Sequence, residues 1–318
     1  MNALAWLFWN DAEVRPRALW RILLHLALFA LVLIMGGMLG WAVSPTPLLE
    51  WAVQTGILVV LIATIWAACA MFDRRPLRDL GLWAGRTWWA DLAAGLVLGA
   101  VLTGAVLGVM AVAGWVTLRA EPVRSDAIGP FPFALLLMLV NFVFVGVGEE
   151  LLFRGYWLKN LAEGLCGRAF GPRAALVLAS ALVAALFAAA HANHAGTSWR
   201  SLLNTFLAGL LLALPLICTG RLALSIGFHT SWNVFLGTVF GLAVSGNGKQ
   251  VSLMTATTTG PAIWTGGDYG PEGGLVVTGA LLLGMVLVAA WLRLRPHGGQ
   301  LGLHDTLAHP PAGIERKD

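Results

Sequence analysis

The sequence predicts an all-α fold, a polytopic membrane helical bundle of about eight transmembrane helices. Of its 318 residues, 58% are hydrophobic and only 11% are charged, too little charge to cover the surface of a soluble protein. Eight apolar segments are long enough to cross a hydrocarbon core of about 30 Å. They run over residues 18–42, 48–72, 89–115, 133–158, 173–192, 200–219, 222–244 and 275–294. The basic residues are dispersed among the connections, as membrane topology arranges them, and form no nucleic-acid footprint.

The stretch before the first segment carries Asp11 and Glu13, and the apolar run behind it exceeds the hydrophobic region of a cleaved signal. It reads as a retained membrane helix. Gly36 and Gly40 in that helix, and Gly95, Gly99, Gly104 and Gly108 in the third, have the spacing that lets membrane helices approach closely. His25, one turn from Arg21, reads as a boundary residue. Tryptophans such as Trp20, Trp51, Trp115 and Trp291 fall near segment ends, where interface anchors sit. Thr219-Gly220-Arg221 marks a tight turn between the sixth and seventh segments. Residues 245–274, rich in Gly and Thr, form the longest outer connection, and Pro and Gly preclude a helix through it. The polar tail from about residue 296, with His297, His304 and His309, reads as loosely ordered. Cys69, Cys166 and Cys218 lie far apart without disulfide or metal spacing, and read as small hydrophobes.

The basic residues also set an orientation. Arg15, Arg17 and Arg21 precede the first span. Arg74, Arg75, Arg78 and Arg86 divide the second from the third, and Lys159, Arg168 and Arg173 divide the fourth from the fifth. Arg221, Arg293, Arg295, Arg316 and Lys317 fall on that same side, against Arg119, Arg124, Arg200 and Lys249 on the other. The bias places both termini in the cytoplasm. With 17 arginines against 3 lysines in an Ala- and Leu-rich chain, a bacterial inner membrane is the expected location. The expected organisation is three membrane helices in residues 1–132, a four-helix core in 133–240, and an outer loop, last span and tail in 241–318, with no internal repeat.

Ionisable groups at bilayer depth cost about 2.5–3.5 kcal/mol each on insertion scales, face the bundle interior, and mark function. They concentrate in the second half of the chain. The fourth segment holds Asn141, Glu149, Glu150 and Arg154; the fifth ends at His191 and His194; the seventh holds His229 and Asn233. Glu150 and Arg154 are four residues apart and can pair on one face. Glu149, about 100° around the helix, is left without an intrahelical cation. A carboxylate in an apolar site has a raised proton affinity, which suits a general base, so Glu149 is the catalytic candidate. Glu150 and Arg154 are expected to orient the site. His229 and Asn233, also four apart, present two donors suited to an oxyanion. His191 can share a water with Glu149 if the fourth and fifth helices are neighbours. His194 is expected to serve the loop, and Asn141 to hydrogen-bond between helices. Depth presents a mismatch. Counting 1.5 Å per residue from the inner ends puts Glu149 and His229 about 10–15 Å deep and His191 about 25 Å.

Glu-Glu-x-x-x-Arg at 149–154, Phe-x-x-x-His at 187–191 and His-x-x-x-Asn at 229–233 resemble the three signature motifs of the CPBP, or Abi, family. That family comprises type II CAAX prenyl endopeptidases and bacteriocin-processing or self-immunity proteins. FLAGLLLA at 206–213 resembles the small-residue motif its members carry between the second and last signatures. The resemblance covers roughly residues 133–240. It implies an intramembrane endopeptidase in which Glu149 and His191 activate water, His229 and Asn233 hold the oxyanion, and Glu150 and Arg154 support them.

The resemblance leaves open a metalloprotease or a glutamate protease. No cofactor is the favoured expectation, because Asn233 is a poor zinc ligand and the closely spaced HExxH pair is absent. The alternative is one zinc ion on Glu149, His191 and His229. The implied partners are a peptide or membrane-protein substrate and the lipid bilayer, with no nucleic acid. Two other functions remain in view. One is a proton-coupled transporter, although the first three segments lack a matching charge pattern. The other is a non-catalytic immunity or scaffold member of the same family.

Overall fold

The computed structural model describes residues 7–11, 13–42, 46–167, 170–248, 251–295 and 305–309. Arg168, Lys249, His297, His304, Arg316 and Lys317 lie outside the described residues. A two-residue hairpin, β1 (Trp9–Asn10) on β2 (Arg15–Pro16), leads into α1 (Ala18–Ala42). Helix α2 (Pro47–Ala68) starts with Pro47 behind a Thr46 cap and ends in a wide turn over Cys69–Asp73. Helix α3 (Arg86–Val112) follows, then strand β3 (Val116–Arg119). Helix α4 (Phe131–Glu149) runs on through a π-helical stretch, Glu150–Leu158, into α5 (Lys159–Leu165). Helices α6 (Pro172–Ala190), α7 (Trp199–Thr219) and α8 (Ala223–Asn233) complete the core, and a π turn, Val234–Val239, extends α8. The outer connection contains β4 (Thr255–Thr258) and the short α9 (Ala262–Thr265), and α10 (Leu275–Leu294) is the last long helix.

The chain is an integral membrane helical bundle, and among the described residues seven helices are long and apolar enough to cross a bilayer, rather than a confirmed eight. The expected seventh segment, 222–244, differs for a physical reason. Every residue of α8 is buried, so protein rather than lipid surrounds it, and its polar GFHTSWN stretch finds its partners there. The close approach to α3 is made by glycines. An added Cβ at Gly95 would stand 2.2 Å from the Leu224 carbonyl oxygen, and one at Gly227 would stand 2.3 Å from that of Leu92. Gly99 faces α8 in the same way, whereas Gly104 and Gly108 face open space, so only half of that expected glycine stripe is a packing seam.

The two ends of the bundle differ. At one end β3 pairs with β4 in antiparallel register, tying the α3–α4 connection to the long 241–274 connection. At the opposite end, three arginines read from sequence as topology markers are buried. Arg15, Arg21 and Arg75 all donate to Glu163, at 3.0, 3.1 and 2.6 Å. Arg15 also pairs with Glu13 at 2.7 Å and Arg21 with Asp73 at 3.0 Å. Burial opposes the charge on Arg75, but Glu163 and Asp73 more than offset it and hold its guanidinium above the ordinary value.

His25 is likewise fully buried, 4.9 Å from the Tyr156 ring, and is no boundary residue. Asp91 of α3 is a buried carboxylate the hydropathy reading passed over. It accepts from Arg221, Arg295 and Trp291, so Trp291 is a clamp on α3 rather than only an interface anchor. Trp51 is also buried, in a cluster with Ala134, Met138 and Val251.

Candidate active site

The charged stretch of α4 begins where the helix widens. All nine residues from Glu150 to Leu158 are buried in π-helical geometry, a form that recurs at functional sites. Glu150 Oε1 accepts from Arg154 Nη1 at 2.9 Å and from His229 Nδ1–H at 2.9 Å. Arg154 is fully buried. Its Nη2 donates to the Gly209 carbonyl at 3.3 Å, and its guanidinium lies 4.3 Å over the Phe187 ring. Glycine at 209 makes this possible: an added Cβ would stand 2.8 Å from that of Ala184, so α7 lies close against α6 and turns its carbonyl to the arginine.

Glu149 has a different setting. Its side chain is 24% exposed, its Oε2 makes no hydrogen bond, and that oxygen faces His229 Nε2 at 3.8 Å. His229 therefore lies between two carboxylates, with Nδ1–H spent on Glu150 and Nε2 directed to Glu149. His191 is the first residue past α6. Its Nδ1–H donates to the Phe187 carbonyl at 2.8 Å, which fixes the tautomer and leaves Nε2 as an acceptor. The Phe187 ring stands edge-on to His191 at 4.7 Å and to His229 at 6.4 Å. Asn233 is buried one turn beyond His229.

Glu149, His191, His229 and Asn233 all line one cleft of 360 Å³. Glu150 and Arg154 lie behind its wall. A smaller apolar recess of 50 Å³, walled by Ala208, Leu212, Phe228 and Leu281, opens beside it and shares His191, His229 and Asn233. The depth mismatch expected from sequence closes because α8 starts higher than α6. An added Cβ at Gly155 would meet Leu222, so α8 begins level with Gly155, ten residues before α5 ends at Leu165. Those ten residues correspond to about 15 Å of helix.

Three contributors were not legible as site residues. His194 lines the cleft beside His191, with ring centroids 4.9 Å apart, and its Nδ1–H donates to the Ser245 carbonyl at 2.7 Å. Ser245 holds a left-handed backbone, φ +48°, secured by Glu272. The Glu272 carboxylate accepts from the Ser245 N–H, from its hydroxyl at 3.0 Å, and from Trp232 Nε1 at 2.9 Å. Only the fold-back of the 241–274 connection brings Ser245 to the cleft and Glu272 to the adjoining recess. Asn141, expected to bond between helices, faces Thr55 of α2 at 3.5 Å, too long for a firm bond, and lines the cleft mouth.

Among the described residues no three His, Cys, Asp or Glu side chains are grouped closely enough to hold a metal ion.

Residues 131–235 match the family described as Type II CAAX prenyl endopeptidase Rce1-like. The matched segment is about a third of the chain. The match spans all three motifs that carried the resemblance, Glu149 to Arg154, Phe187 to His191, and His229 to Asn233. No curated protein and no solved structure matches the chain. The Rce1-like match supports, at the level of the family, a CAAX-type intramembrane protease.

Proposed function

We propose that the protein is an intramembrane endopeptidase that hydrolyses a peptide bond of a membrane-associated peptide with water activated by Glu149 and His191. The observation that carries this reading is the unequal fate of two adjacent carboxylates. Glu150 is fully buried and accepts from Arg154 and His229, while the Glu149 side chain is 24% exposed and lines a cleft. A carboxylate kept uncommitted in such a place is suited to take a proton.

In this mechanism a water lies between the Glu149 carboxylate and His191 Nε2. Glu149 takes one of its protons as the oxygen attacks the scissile carbonyl carbon. The negative charge that forms on the carbonyl oxygen is met by His229 Nε2–H, its imidazolium supported by Glu150, and by the Asn233 amide. When the tetrahedral intermediate collapses, the C–N bond breaks and Glu149 returns the proton to the leaving amine. Arg154 holds Glu150 in place.

The test is cleavage of a fluorogenic membrane peptide library by the purified protein in liposomes. Glu149→Ala and His191→Ala should each lower turnover by about 10²–10⁴-fold, the scale of general-base catalysis. Full turnover in both variants would refute the assignment. Metal analysis of the same preparation tests the metal-free step, since stoichiometric zinc lost together with activity would overturn it.

A further inference from the structure

We propose that the chamber is served from the outer face of the membrane, so that its substrate is the extracytoplasmic juxtamembrane segment of an exported or membrane-anchored peptide. This rests on the endopeptidase reading and adds to it the side from which substrate comes and the chemistry of its approach.

The cleft reaches the surface at the outer end. Gln54 near the start of α2 and Asn247 in the outer connection are exposed at its mouth, Asn141 is half-buried between them, and Glu149 and His229 lie farther in. The inner direction is closed. Below Glu149 comes the wholly buried Glu150–Leu158 stretch, and below that the paired cluster of Arg15, Arg21 and Arg75 with Glu163 and Asp73.

Charge then orients the molecule. The inner end carries Arg15, Arg17, Arg21, Arg74, Arg75, Arg78, Arg86, Arg173 and Arg293, against Arg119, Arg124 and Arg200 among the described residues of the outer end. The arginine-rich end is the cytoplasmic one by the positive-inside bias, so the mouth faces away from the cytoplasm.

The mouth also has a defined chemistry. Gln54, Asn141 and Asn247 are carboxamides, and Glu149 is the one carboxylate that lines the cleft. Carboxamides donate and accept as peptide groups do, so they can hold an extended main chain whatever its side chains. The mouth itself holds no cation or acid, so an uncharged segment enters it without an ion-pair requirement.

The experiment places single cysteines in a background lacking Cys69, Cys166 and Cys218. Gln54→Cys and Asn247→Cys report the mouth, and Ala84→Cys, exposed in the connection between α2 and α3, reports the inner end. In intact cells a membrane-impermeant maleimide should label the two mouth cysteines at least tenfold faster than Ala84→Cys, with the order reversed in inside-out vesicles. Labelling of the mouth from the cytoplasmic side overturns the proposal and leaves the dependence of cleavage on Glu149 untouched. Should the cysteine-free background fold poorly, the same comparison is read in the native background as labelling gained over the unsubstituted chain.

A second arm uses right-side-out vesicles and an added impermeant fluorogenic peptide. Prior maleimide modification of Asn247→Cys should lower Glu149-dependent cleavage at least tenfold. Undiminished cleavage overturns the role of the mouth.

Discussion

Glu149 and Glu150 are chemically identical neighbours with opposite tasks, and about 100° of helix separates them. The inward one sits in an ion pair sealed by Phe187 and the Gly209 carbonyl, and the other borders open space. Their variants should separate accordingly. Glu149→Gln should lose cleavage while keeping its thermal unfolding midpoint. Arg154→Ala should strand a buried carboxylate and cost about 3–5 kcal/mol of stability, seen as a lowered midpoint in detergent. Arg154→Lys should not restore it, because an ammonium cannot reach Glu150 and Gly209 together as the planar fork does. A midpoint unchanged in Arg154→Ala would remove the positioning role. This residue-level division was legible in the sequence, since the i,i+4 spacing of Glu150 and Arg154 already implied the pair. The roles of His194, Ser245 and Glu272 were not, because they depend on a Gly-rich connection folding back onto the α6–α7 turn, which no periodicity announces.

At the scale of elements, α8 has the least apolar sequence of the long helices and the most buried position. Hydropathy finds helices that face lipid, and α8 does not, which is why the eighth span expected from sequence is not confirmed. Its burial depends on glycine contacts with α3, and glycine substitutions of opposite sign test this. At Gly95 an added methyl meets a backbone carbonyl that cannot move aside, so Gly95→Ala should destabilise by about 1–3 kcal/mol and lower cleavage by displacing His229. At Gly104 nothing lies within 4 Å, so Gly104→Ala should stabilise the helix by about 0.5–1 kcal/mol through the ordinary advantage of alanine. Thermal unfolding of the two variants in one detergent reads the difference. Equal shifts in both would mean that the α3–α8 seam is not a tight contact.

At the scale of the whole molecule, polar chemistry is divided between two ends, a wet cleft toward one and a dry ionic base at the other. The general class, a helical membrane bundle, was plain from composition. The base was not, because arginines at helix ends read as solvated topology signals until Asp73 and Glu163 are seen folded against them. Glu163 is its centre, accepting from Arg15, Arg21 and Arg75, which come from β2, α1 and the turn after α2. Replacing it by Glu163→Gln preserves shape but leaves three buried guanidiniums facing Glu13 and Asp73 alone. Breaking such a pair costs about 3–5 kcal/mol, because the cations stay buried without compensation. Since these charges are shielded from solvent, the loss should persist when ionic strength rises from 0.1 M to 1 M, unlike that of a surface pair. The variant's unfolding midpoint should therefore fall by the same amount at both salt concentrations, while maleimide labelling of Asn247→Cys in the same background stays on the outer side. A loss that vanishes at high salt would show that the base is solvated, and the closed inner end that directs substrate to the outer mouth would lose its physical ground.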